Sequence, residues 1–320
     1  MSEGGEAKPA QEMTVEVPAT LSGVRVDRGV AMVADISRAL AAQLVESGRV
    51  LVDGAPVASG KVPLQEGAVL TVQLPGEVSA IPAAEPGVRF SVVHADEDVA
   101  VIDKPAGLVV HPGAGHAEGT LVGGLLAAFP DLGDLVTSGV CAPDRPGIVH
   151  RLDKGTSGLL AVARTADAYR SLVAQLATRS MERRYLALVA GRVADDRGEV
   201  DAPIGRSVRT PTKMAITPRG RAARTEYRVV ERRGVDTGSP TTLLELALQS
   251  GRTHQVRVHM AAIGHPVVGD ARYGTPDKRL GSGRFFLHAA RLAFDHPQTG
   301  IRAEFASPLP GDLQDYLGDR

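Results

Sequence analysis

Residues 147–164, GIVHRLDKGTSGLLAVAR, change character midway. The first half sets His150, Arg151, Asp153 and Lys154 ahead of Gly155, Thr156, Ser157 and Gly158, small residues that form turns. The second half, LLAVAR, reads as a strand of the buried type. An Asp before Gly-Thr-Ser is by itself most often a turn or cap residue. Asp153 therefore gains a chemical role only from the rest of the chain.

Outward from that segment, residues 90–307 are rich in β-type pieces: FSVVHA, VAVID, GLLAVAR, YLALVAG, RTEYRVVE, TLLELAL and RLAF. Helical runs interleave at about 119–128, 166–178 and 253–263. Strands outnumber helices and are often joined by short turns. This predicts an α+β fold with a central, mostly antiparallel mixed sheet flanked by helices and loops. Ahead of it, 15–74 is a smaller compact pattern. Leu40, Ala41, Leu44 and Val45 follow helical spacing over 37–47, with Ser37 placed to cap. RVLVDG and AVLTVQLP follow as strands, with Asp53-Gly54 as a hairpin signal. Residues 1–14 are polar and expected to be disordered, and 75–89 carry three prolines, as a linker does. The expected organisation is a tail (1–14), a small domain (15–74), a linker (75–89) and a larger domain (90–320).

The composition is that of a soluble globular chain of about two domains. Trp is absent and aromatics make up 3%, so the core must come from Val, Leu, Ala and Ile. No apolar run approaches the ~20 residues of a membrane span, and the polar N-terminus has no signal-peptide core. A single cysteine, Cys141, excludes an intrachain disulfide and a multi-thiolate zinc site. A cytoplasmic location is expected. The formal charge of -1 does not suggest a nucleic-acid partner, but its distribution does. Residues 1–100 hold 7 Lys+Arg against 14 Asp+Glu, and the remainder holds 29 against 23. Within 205–233, nine Lys/Arg face two Glu, enough to neutralise several phosphates.

A second cluster, SGRTHQVRVHMAAIGHPVVGD, spans 250–270. Thr253 can cap a helix with Val256, His259, Met260 and Ile263 on one face and Gly264 at its end. Arg257 lies beside that face, and its guanidinium is a natural bidentate partner for a carboxylate. HPGAGHAEG lacks the glycine spacing of a dinucleotide loop. No HExxH occurs, and His254 and His259 are wrongly spaced to share a metal on a helix. No metal and no cofactor are expected.

Taken together the clusters resemble one family. HRLDKGTSG (150–158) resembles the catalytic motif of the RluA family of RNA pseudouridine synthases, RRYLALVAG (183–191) its tyrosine motif, and GRTHQVRVHMAAIGHPVVGD (251–270) its arginine motif. DKPAGLVVHPGAGHAEGTLVGGLL (103–126) resembles the segment before the catalytic loop, and FFLHAARLAF (285–294) a leucine-bearing strand. VRVDRGVAMVADISRALAAQLVESGRVLVDG (24–54) resembles an S4 RNA-binding domain. The likeness runs over roughly 15–310 in the family's order and is closest to its D-type large-subunit members.

The resemblance implies isomerisation of specific uridines to pseudouridine in RNA, chiefly large-subunit ribosomal RNA, by an aspartate nucleophile without cofactor. By the same likeness Asp153 is the catalytic aspartate, Tyr185 packs on the target base and Arg257 pairs with the aspartate. Leu287 lines the uracil pocket, and Arg151 helps displace the flipped nucleotide. Arg25, Arg28, Arg38, Arg49 and Lys61 are the candidate RNA contacts of the S4 segment. The implied partner is RNA, without DNA or membrane, bound by a monomer. Two departures stand out: Gly155 replaces a commonly acidic or small residue, and the S4 helix uses Ala where a larger apolar residue is common. Other readings are a non-catalytic S4 ribosome-assembly factor and a synthase acting on transfer RNA. An S4-bearing methyltransferase lacks its glycine-rich loop here.

Overall fold

The computed structural model describes residues 11–34, 36, 38–74, 81–112, 116, 118–207, 209–210, 212–234 and 239–318. The chain separates into two compact units, Met1–Ala80 and Ile81–Arg320.

The first unit contains β1 (Gln11–Glu16), α1 (Val26–Val33), α2 (Arg38–Glu46), β2 (Val50–Val52), β3 (Ala55–Pro56) and β4 (Val69–Leu74). Its antiparallel sheet has the order β1-β4-β2-β3. Val26, Val30, Ala41, Leu44 and Val45 of the helices share a core with Val50, Leu70 and Val72 of the sheet. Asp53 (φ 51°) and Gly54 (φ 79°) join β2 to β3, the positive-φ pair that a tight hairpin turn requires. Ser37, the expected cap of α2, lies outside the described residues. The tail expected through residue 14 is corrected: Gln11–Glu16 pairs with β4 from Gln11↔Leu74 to Glu16↔Val69. Helix α1 is not legible in the sequence, because Val26, Val30 and Val33 are β-branched and Gly29 weakens a helix. Tertiary packing overrides these preferences. A Cβ on Gly29 would fall 2.3 Å from Leu64 Cδ1, so the glycine lets α1 and Leu64 meet.

The second unit begins with β5 (Ser91–Ala95), β6 (Val99–Lys104), α3 (Leu121–Ala128), α4 (Leu132–Thr137), β7 (Ser157–Ala163) and α5 (Ala166–Thr178). It continues with β8 (Glu182–Ala190), β9 (Arg197–Asp201), β10 (Ile204–Arg206), β11 (Met214–Ile216), β12 (Arg224–Arg233) and β13 (Thr241–Leu248). It closes with α6 (Gln255–Ala262), β14 (Leu287–Asp295), β15 (Arg302–Ala306) and α7 (Gly311–Gly318). The nine-stranded sheet runs β5-β6-β7-β14-β8-β13-β12-β9, with β15 on β14, while β10 and β11 form a separate hairpin. Among the described residues the β7–β14 pairing is parallel and the others antiparallel, so the fold is the expected α+β with a mixed sheet.

Strand β7 is buried along its whole length because both faces are covered. Leu160 and Val162 enter one core, whereas Leu159, Ala161 and Ala163 enter another with Ala168 and Leu172 of α5. Helix α5 starts where Thr165 accepts the Ala168 N–H, at the expected position. Helix α6 is corrected at its start: its cap is His254, in the left-handed region (φ 57°), not Thr253. Ile263 is exposed, so the expected apolar face ends at Met260. The short helices α4 and α7 are not predicted.

The linker at 75–89 is also corrected in its second half. Ile81 packs on the main core, Glu85 N–H donates to Gly123 O at 2.7 Å, and Glu85 Oε2 accepts from Gly119 N–H at 2.7 Å. A Cβ on Gly124 would fall 2.8 Å from Phe90, so α3 offers a glycine surface on which 81–90 lies flat.

Candidate active site

Strand β14 comes from late in the chain yet lies between β7 and β8. That insertion gathers the turn before β7, the middle of β8 and the first residue of β14. Leu287 pairs with Ala187 and Ala289 with Tyr185. Leu287 and Tyr185 therefore share one face of the sheet, where both line a cleft of about 520 Å³ with Arg151, Asp153 and Arg257. Four expected site residues thus meet Asp153 in one cleft.

The turn that carries Asp153 is held from several directions. Asp153 O accepts from Thr156 N–H at 3.0 Å. Lys154 O accepts from Gly107 N–H at 2.7 Å and from Lys104 Nζ at 3.4 Å. Lys104 is fully buried and also donates to Pro105 O and Leu108 O, both at 2.9 Å. Burial pushes its ammonium down to about 7, against the pull of the Asp153 charge. Gly155 O accepts from Arg284 Nη1 at 2.7 Å. Arg284 in turn donates through Nε to Asp312 at 2.7 Å and through Nη2 to Ser157 Oγ at 3.1 Å. A Cβ on Gly155 would meet Gly283 O at 2.4 Å, so the absence of a side chain there is a packing requirement.

Arg257 does more than pair with Asp153. Its Nη1 donates to Asp153 Oδ2 at 3.0 Å, while Nε and Nη2 donate to Asp270 at 2.7 and 2.9 Å. Its guanidinium lies 4.3 Å from the Phe285 ring centre and 5.2 Å from that of Tyr273. Burial resists the charge on Arg257, but the two carboxylates raise its pKa. Burial likewise works against ionised Asp270, yet Arg257 and the N–H groups of Arg272 and Tyr273 hold it below the usual carboxylate range. The sequence reading missed Asp270, Phe285 and Tyr273. Asp270 ends the arginine motif, and its place after Val267-Val268-Gly269 was the available signal.

Tyr185 is buried, and burial pushes its phenol up, aided by Asp153 and opposed by Arg183. Its hydroxyl stays protonated and the ring serves as an apolar wall. His150 accepts the Ala161 N–H through Nε2 at 3.0 Å. Burial and the Arg183 charge push its pKa down to about 3, so it is neutral support for the loop, not a base. Exposed Arg151 donates to His111 Nε2 at 3.1 Å.

The basic residues divide by surroundings. In the S4 segment Arg28, Arg49 and Lys61 are exposed, and only the backbone of Arg38 is described. Arg25 is engaged by Asp27 at 2.5 and 3.1 Å. Within 205–233, Arg224, Arg228, Arg232 and Arg233 pair with Glu199, Glu245, Asp196 and Glu231. The field expected there is accordingly weaker, because sheet neighbours neutralise part of it. Arg209, Arg219 and Arg221 remain exposed. Among the described residues, one group, Asp96, Asp98 and His296, brings three metal-capable side chains together. It lies outside the cleft lining. Among the described residues no helix is long and apolar enough to cross a membrane.

A β-sheet cleft that presents an arginine-bound carboxylate between an aromatic and an aliphatic wall is what this fold offers chemically. Residues 98–262 match the RNA pseudouridylate synthase family, and residues 24–70 match the S4 domain. A Chloroflexus aurantiacus protein called an uncharacterized RNA pseudouridine synthase is 48% identical, over 99% of this chain and 97% of its own. The ribosomal large subunit pseudouridine synthase D of Pseudomonas aeruginosa is 41% identical, over 94% of this chain and 93% of its own. The solved structure of human RNA pseudouridylate synthase domain containing 1 superposes with a TM-score of 0.54 at 30% identity, covering 71% of this chain and 86% of that one. The chain belongs to the RNA pseudouridylate synthase family and carries an S4 domain at its N-terminus. It is an RNA pseudouridine synthase, an isomerase.

Proposed function

We propose that the chain converts specific uridines of large-subunit ribosomal RNA to pseudouridine, with Asp153 as nucleophile and no cofactor. The observation that carries this reading is the Asp153–Arg257 pair, 3.0 Å apart in a cleft walled by Tyr185 and Leu287. The reaction breaks the bond from uracil N1 to the sugar, turns the base, and forms a bond from C5 to the same sugar carbon. The C5 proton leaves to solvent and N1 gains one. Atoms and oxidation state balance, so the chemistry calls for no cofactor.

Arg257 donates to the Asp153 carboxylate and fixes its direction. Tyr185 and Leu287 hold the detached uracil so that it turns without escaping. Arg151 stands at the exposed rim, where it helps displace the flipped nucleotide. Flipping costs a few kcal/mol, offset by stacking and backbone contacts. Arg28, Arg38, Arg49 and Lys61 supply phosphate contacts from the S4 domain, with Arg25 a weaker candidate because Asp27 already holds it. Large-subunit ribosomal RNA is the substrate favoured by relatives called ribosomal large subunit pseudouridine synthase D, which match over most of the chain. The expected cytoplasmic location follows from that substrate.

Tritium release from RNA labelled at uridine C5 tests the activity, and Asp153→Asn tests the nucleophile. The substitution is nearly isosteric, so the variant should stay folded, bind RNA and release no tritium. Turnover within about tenfold of the parent, roughly 1.4 kcal/mol in barrier, would remove Asp153 from its role. Pseudouridine mapping in cells lacking the protein separates ribosomal from transfer RNA.

A further inference from the structure

Strand β8 alternates, and Arg183, Tyr185, Ala187 and Val189 point to one face. Tyr185, Ala187 and Val189 belong to the main apolar core. Arg183 continues their row into the cleft beside Asp153, an unusual end for an apolar stripe. Its exposure is 7%, and a buried charge is ordinarily paired.

Three arginines are buried among the described residues, and two of them serve as controls. Arg257 is held by Asp153 and Asp270, and Arg284 by Asp312. Arg183 has no carboxylate within ion-pair distance among the described residues. Its one hydrogen bond there is long, Nη2 to Leu248 O at 3.4 Å. Its Nε is sealed from solvent without a partner, and so is Nδ1 of neighbouring His150. Burial works against the Arg183 charge, with only Tyr185 opposing that effect. Its Nη1 lies 2.8 Å from where a Cβ on Gly251 would stand, so Gly251 gives the guanidinium its room. The other cleft arginines are satisfied differently: Arg179 on Gln249 at 3.1 Å, and Arg252 on Ala222 O at 3.1 Å.

We infer that Arg183 is a further RNA-binding residue, whose guanidinium takes a phosphodiester of the strand that carries the target uridine. This rests on the reading of the cleft as the uridine site. Among the described residues this cation has no counter-ion, and the substrate supplies one as the nucleotide enters. Arg183 thereby favours the bound over the empty cleft, and its position two residues from Tyr185 ties backbone capture to base stacking.

The test uses the full chain, an unmodified large-subunit ribosomal RNA transcript, and the variants Arg183→Met and Gly251→Ala. Removing an uncompensated buried charge should leave the Tm of the free protein unchanged or higher. RNA affinity should fall roughly tenfold or more, as for a charged hydrogen bond. The slope of log affinity against log salt should become shallower by about 0.7–0.9, one phosphate contact, and KM should rise more than kcat falls. Gly251→Ala, which crowds the guanidinium and keeps its charge, should raise KM as well. A lower Tm for Arg183→Met with an unchanged salt slope would mean that the residue packs and does not bind. Inorganic phosphate that stabilises the parent through Arg183, without any Arg183 effect on RNA binding, would equally overturn the assignment to RNA. Tritium release by the parent in the same preparation keeps the two readings apart. Its absence refutes the uridine site, whereas normal release with an unchanged slope refutes the Arg183 assignment alone.

Discussion

Arg257 is shared between two carboxylates, and the division determines what its loss should do. Asp270 is fully buried and receives two of its hydrogen bonds, while the partly open Asp153 receives one. Arg257→Met should therefore destabilise the protein by about 3–5 kcal/mol, the usual cost of orphaning a buried charge, and abolish turnover. In urea titrations, adding Asp270→Asn should recover more stability than adding Asp153→Asn. Equal recovery would mean that neither carboxylate dominates, and greater recovery with Asp153→Asn that the cleft carboxylate does. His150 makes a pH prediction. Its folded pKa is depressed from 6.5 to about 3. Its contribution is thus complete above about 6.5 and is lost as pH falls toward 3, because the unfolded state binds the proton first. Replacing it with Gln, which keeps an acceptor for Ala161, should flatten the urea midpoint between those values. An unaltered pH profile would assign the acid sensitivity elsewhere.

At the scale of elements, the turn between Leu152 and β7 matters most, because it is fastened by groups from β6, from the segment before β14 and from α7. Gly155→Ala should push this turn away from Gly283 and displace Asp153 from Arg257. Overpacking of that kind costs about 1–3 kcal/mol of stability, and a misplacement near 1 Å costs on the order of a hundredfold in rate. Normal tritium release with a normal Tm would show that the turn has room. Local elements were the most legible. The Asp53-Gly54 turn and α5, expected at about 166–178, follow from chemistry within a few residues. Helix α1 was illegible because its stability depends on Leu64, far along the chain.

For the whole molecule, the two compact units suggest a division of labour. A chain beginning at Ile81 retains the Glu85 contacts to α3, which one beginning at Pro86 would lose. It should fold and keep its kcat at saturating RNA, while its affinity for RNA weakens. The S4 segment 15–74 has five basic residues against six acidic ones, and Arg25 is already engaged. The salt slope should therefore change by only about one to three contacts, at roughly 0.7–0.9 each. Full affinity with lost turnover would instead make the S4 domain an organiser of the active site.

By itself the sequence determined the α+β class and the small N-terminal module, and its resemblance to the family singled out Asp153, Tyr185, Arg257 and Leu287 as candidates. The class and the module are written in local patterns, whereas the candidate residues stand out only when several motifs are taken together in their order along the chain. Tertiary structure alone decided that Asp270 holds Arg257, that Arg284 clamps Gly155, that the linker's second half packs on α3, and that Arg183 is buried without a counter-ion among the described residues. The reason is topological. Strand β14 enters between β7 and β8 although it follows β8 by nearly a hundred residues in sequence. That insertion brings Arg284, just ahead of β14, onto Gly155 and Ser157, and no periodicity along the chain records it.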